Sequence, residues 1–223
     1  MNTKRISSAY LEGKDSYKSP PGFSELFQGQ FVSKGGDECL VHSLTEQVRN
    51  ELGNIIYSNK RNSFLNEECL NLMYWVSNNI FSYASFCFLC GNTTDHVFKE
   101  EDLLVLENLL TTIKSSVSEK STNFVTYDQK FCLLIDKLRI TVRSLESAYW
   151  RWSEDPRVLG HIREHMRIDP QGSLLKHQNI VRMGNILNRL SSCLFWINRV
   201  VYEENFDSIS KLEWSGKITN VKN

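Results

Sequence analysis

The chain has 223 residues, 41% of them hydrophobic and 23% charged, with a formal net charge of zero. That length suits one domain whose core needs no disulfides, and the balance excludes an acidic disordered chain and a globally basic nucleic-acid coat. The N-terminus has no apolar leader and no run approaches the roughly 18 apolar residues of a membrane span, so a cytoplasmic or nuclear location is expected. In that reducing setting Cys39, Cys69, Cys87, Cys90, Cys132 and Cys193 are expected to be thiols rather than bridges.

Residues 1–36 are rich in Ser, Gly, Lys and Pro, with Ser19-Pro20-Pro21-Gly22 and Gly35-Gly36 as breakers, and are read as a flexible arm. Asp37 is the expected cap of a first helix carrying Val41, Leu44, Val48, Leu52 and Ile55 at helical spacing. A second helix runs from Leu65 through Met73, Val76 and Ile80 to Cys87, and Gly91 stops it. The third opens on Glu100, Glu101 and Asp102, which suit a helix N-terminus; its apolar face is Leu103, Leu106, Leu109, Leu110, Ile113 and Val117. The fourth extends from about Thr126 to Ser153. Asp155-Pro156 starts a short fifth, and Asp169-Pro170 starts a sixth reaching about Asn205. Residues 207–223 are expected to fray, with Trp214 as a tether.

Six helices without a credible alternating strand predict an all-α fold, a single helical bundle over 37–206. Two helices carry more apolar surface than one stripe can bury. In the fourth, Trp150 and Trp152 point about 200° apart, and the sixth has two neighbouring apolar faces. Such helices are central or form an interface, so homo-oligomerisation through the fourth and sixth is expected as one alternative. Trp150 is then the interface residue.

Charge is uneven. Residues 62–129 hold three lysines and nine acids, net −6, whereas 130–199 hold twelve Lys and Arg against six acids, net +6. Either the helices neutralise one another, or a basic face meets an acidic or phosphate-bearing partner.

Four short motifs carry candidate chemistry. Cys87-Phe88-Leu89-Cys90 resembles a zinc knuckle, and Cys39-Leu40-Val41-His42 supplies the matching pair, so Cys39, His42, Cys87 and Cys90 form a possible four-ligand structural zinc site. The alternative is that Cys87 and Cys90 are helical core residues. His161-Ile162-Arg163-Glu164-His165 resembles the H-x-x-E-H pattern of inverted zinc peptidases, over five residues only. The same helix could instead grip an anion through Arg157, His161 and His165. Phe23-Ser24-Glu25-Leu26-Phe27 resembles the F-x-x-L-F box of nuclear-receptor coregulators, with Phe23, Leu26 and Phe27 sharing a helical face that enters a partner's groove. Leu106-Glu107-Asn108-Leu109-Leu110 matches the related L-x-x-L-L box but lies on a core face.

These readings favour a non-catalytic helical adaptor or accessory subunit with protein partners and no required cofactor. The alternative is a nucleic-acid or phosphoinositide binder using 130–199. Third comes a zinc-dependent hydrolase.

Overall fold

The computed structural model describes residues 23–27, 30–88, 98–117 and 127–206. The expected fraying of 207–223 lies outside them. The fold is an all-α bundle with one small hairpin at its N-terminal edge: β1 (Phe23–Phe27), β2 (Gln30–Ser33), α1 (Asp37–Asn62), α2 (Glu67–Asn79), α3 (Phe81–Phe88), α4 (Glu100–Ser116), α5 (Lys130–Ser153), α6 (Pro156–Ile168) and α7 (Pro170–Asn205).

Within the arm, the described residues 23–27 and 30–33 form a hairpin where the motif predicted a helix. β1 pairs antiparallel with β2, Phe27 opposite Gln30, leaving Gln28-Gly29 between the strands. Aromatic and β-branched residues on both sides of a glycine favour this arrangement. Phe23, Leu26 and Phe27 therefore sit on extended backbone. An i, i+3, i+4 set shares a face only on a helix, so the helical presentation expected of them is absent.

Helix starts follow local chemistry. Gly36, rather than Asp37, is the N-cap of α1, and Asp37 and Glu38 occupy its first turn, where the macrodipole favours carboxylates. Asn66 caps α2 by accepting from the Cys69 N–H at 2.9 Å. The Lys99 N–H donates to Asp102 at the start of α4, 2.7 Å away. Asp169 accepts from the Gly172 N–H at 2.9 Å, with Pro170 in the first turn of α7.

The expected second helix is two. α2 ends at Asn79, and Tyr83 N–H reaches the Ile80 carbonyl in a tight i−3 turn of 3.2 Å. Ser77-Asn78-Asn79 supplies the reason: short polar side chains compete for the backbone, and the Asn79 amide donates to the Trp75 carbonyl at 2.8 Å.

α5 lies between α1 and α7, while α7 also packs on α4 and α6. Most of their apolar surface is thus covered inside the bundle, Ile186, Leu187, Leu194 and Val201 of α7 among it, while Val181 of α7 and Leu133 and Ile140 of α5 stay exposed. Trp152 is fully buried, stacked within 5.4 Å of Tyr149 and 5.8 Å of Phe86. Trp150 is half-buried rather than free, its indole seated over Gly184 of α7. The Tyr83 and Tyr149 hydroxyls donate to the Met183 and Ile180 carbonyls at 2.9 and 3.0 Å, pinning α3 and α5 to the same stretch of α7.

The uneven charge is spent between helices. Arg182 and Arg189 of α7 meet Glu100 and Glu107 of α4 at 2.9 and 3.2 Å. Lys137 and Arg151 of α5 reach Glu51 and Asp37 of α1 at 3.4 and 3.3 Å. Apart from the buried Glu51, these side chains are exposed or half-exposed, and pairs of that kind add little stability. No helix among the described residues is long and apolar enough to cross a membrane.

A candidate docking groove between two helices

Of the residues singled out by motif, several have structural duties. Arg157 lies 2.6 Å from Asp155 and 3.4 Å from Glu38, so its guanidinium ties α6 to α1 and is already neutralised. Its hydrogen bonds hold the Asp155 carboxyl below the ordinary 3.8. His161 and His165 lie on α6, their side chains outside the described set.

Cys87 is fully buried. Burial, and then the Cys87 sulfur, pushes the Tyr83 and Tyr149 hydroxyls well above their usual range. Cys39 is half-buried, and His42 faces Phe81 at 6.1 Å with its Nδ1 3.8 Å from Glu46. Among the described residues no group of three or more His, Cys, Asp or Glu is placed to hold a metal, and Cys39, His42 and Cys87 form no such group. Cys90 lies outside the described residues. The other buried cysteines are inert: burial raises Cys69, Cys132 and Cys193 to about 12.

A concave surface exists elsewhere. α2 and α4 lie apart enough to leave a groove of about 550 Å³ lined by Leu72, Trp75, Val105, Leu106 and Leu109, with Glu68 and Asp102 among its polar residues. That volume lies within the range of binding sites for small ligands and side-chain clusters. Leu72 and Leu106 are buried and form the floor, Trp75 and Leu109 are half-buried, and Val105 is 63% exposed. Trp75 stacks on Phe98 at 5.2 Å, which places the last turns of α2 beside the entry to α4 and holds the indole in place. On its opposite side α4 is anchored to α7 by Glu100 and Glu107.

Motif reading missed this groove, although it left a signal. Leu103-Leu104-Val105-Leu106 is four apolar residues in succession on a helix, which one core stripe cannot absorb. Leu103 packs on the core and Leu106 enters it, while Leu104 and Val105 are 57% and 63% exposed. The L-x-x-L-L match proves to be divided: Leu106 and Leu110 are buried and Leu109 faces the groove. No known protein family matches the chain, and no curated protein sequence matches it.

Proposed function

We propose that this protein is a non-catalytic helical adaptor that receives an apolar helical segment of a protein partner, flanked by basic residues, in the groove between α2 and α4. The observation that carries this reading is the exposed Val105 beside Trp75 and Leu109, an apolar surface rimmed by polar residues. Such surfaces on soluble domains accompany interaction sites. Two helices apart, with an aromatic side chain between them, take an amphipathic helix through residues at i, i+3 and i+4. Glu68 and Asp102 line the groove, and Glu101 stands exposed beside Asp102, which favours lysine or arginine on the incoming segment. The reading through nucleic acid or phosphoinositide is less well supported, because Lys137, Arg151, Arg157, Arg182 and Arg189 of the basic half are paired with carboxylates.

Burying two or three large side chains yields several kcal/mol before ordering costs are subtracted, so affinity near micromolar is expected. The test is fluorescence anisotropy of the full chain with a labelled amphipathic helical peptide bearing lysines at both ends, beside a sequence-scrambled control. Specific binding that is lost in Val105→Lys, with melting unchanged, supports the groove. Equal binding by wild type and Val105→Lys sinks it.

A further inference from the structure

The last turn of α7 delivers the chain to one end of this groove. Phe206 stacks on Phe64 at 5.4 Å, and Phe64 lies two residues before the Asn66 cap of α2. Glu68, on the first turn of α2, is one of the groove residues. Burial first, then the Glu68 and Glu204 carboxylates, raises the Cys69 thiol, so the end of α7 and the start of α2 share one neighbourhood.

Beyond Phe206 the sequence continues for seventeen residues, Asp207 to Asn223, carrying Ile209, Leu212, Trp214 and Ile218 among Lys211, Lys217 and Lys222. This is the chemistry the groove suits: apolar side chains for Trp75, Val105 and Leu109, and lysines for Glu68 and Asp102. Reach is ample. The eight residues from Phe206 to Trp214 span at most roughly 26 Å, while Glu68 to Trp75 on α2 covers about 10 Å.

We infer that residues 207–223 are the resident occupant of the α2–α4 groove, with Trp214 its apolar anchor, so that an incoming partner helix must displace the chain's own C-terminal segment. The inference rests on the docking reading above and adds its regulation. Tethering makes the occupant's effective concentration high, up to the millimolar range for short linkers. A partner that binds with micromolar intrinsic affinity is therefore held off until its own local concentration or avidity rises.

The test is disulfide trapping in the full chain. Asn108→Cys lines the groove, and Ser215→Cys follows Trp214. Gln178→Cys, exposed on α7, is the control position. With an added thiol oxidant, mass spectrometry identifies the 108–215 link. The expected result is an intramolecular link forming at least about tenfold faster than 178–215, and slowed by a similar factor in Trp214→Ser. Equal rates at the two positions, a link between two copies, or indifference to Trp214→Ser would overturn the inference.

The lysine-flanked probe peptide separates this from the docking reading. If the probe binds the groove but the link does not form, the inference alone fails. If the link forms but the probe binds neither the reduced wild type nor Trp214→Ser, the partner-docking function alone fails.

Discussion

Gly184 offers a sharp check on how α5 meets α7, because two known effects oppose each other there. In an exposed helix Gly→Ala stabilises by about 1 kcal/mol through helix propensity. At Gly184, however, an added Cβ would fall 2.6 Å from both Cε2 and Cη2 of Trp150 and closer still to Cζ2. Carbon atoms prefer about 3.5–4.0 Å, so the indole must shift by an ångström or more. It is a rigid ring already packed on the core. Overpacking of this kind costs about 1–3 kcal/mol, and a clash this close belongs at the upper end. The net expectation for Gly184→Ala is a loss of about 2 kcal/mol, or roughly 4–8 °C in Tm for a chain of this size.

Gly53 on α1 is the internal control, since a Cβ there meets nothing within 4 Å. Gly53→Ala should raise Tm by about 2–4 °C. A double-mutant cycle isolates the contact: in a Trp150→Ala background, Gly184→Ala should turn stabilising by about 1 kcal/mol. Thermal melts followed by circular dichroism read all five proteins. If Gly184→Ala raises Tm in the wild-type background, Trp150 does not sit over Gly184 and the α5–α7 packing described above is wrong.

Three further outcomes follow from the same structure. Tyr83→Phe removes one buried hydroxyl donor while the Met183 carbonyl keeps its place in α7, so a loss of about 0.5–1.5 kcal/mol is expected by chemical denaturation; no loss would mean that the hydroxyl is not engaged. Because Arg157 lowers the Asp155 carboxyl, their contribution is present above the ordinary value of 3.8 and disappears as pH falls through the lowered one. Arg157→Ala should therefore destabilise at neutral pH and converge on wild type in strong acid; an equal deficit at both would refute the pairing. Finally, Cys69, Cys132 and Cys193 should resist a thiol reagent at pH 8 in the folded protein and react once it is unfolded. Rapid native labelling at any of the three, located by peptide mapping, would contradict their burial.

The long helices were legible because each local signal agrees with the tertiary one. Asp169-Pro170 opens α7 and the apolar period runs to Asn205, where the helix does end. The central roles of α5 and α7 were legible too, as surplus apolar surface, but periodicity alone does not say whether neighbours or a second molecule cover it. The break at Ile80 carried no Gly or Pro, only a run of Ser and Asn whose side-chain competition is too weak to read in isolation. The hairpin hid because Phe23-Ser24-Glu25-Leu26-Phe27 fits helical spacing as well as a strand, and only pairing with Gln30–Ser33 decides.

Arg157 shows what sequence alone leaves out of a candidate site. Its basic neighbours in sequence suggest an anion, whereas its acidic partners include Glu38, which is distant in sequence and adjacent in space. The groove likewise joins two helices some thirty residues apart, so neither segment declares it alone, although Leu103-Leu104-Val105-Leu106 hinted at a second apolar surface.

Docking of partners between α2 and α4 can be read by methyl-selective NMR of the full chain with the lysine-flanked helical peptide. Concentration-dependent shifts confined to Leu72, Val105, Leu106 and Leu109 are expected, with the exposed Leu133 and Ile140 of α5 unmoved. Shifts centred on Leu133 and Ile140, or none at Val105 under saturating peptide, would contradict it.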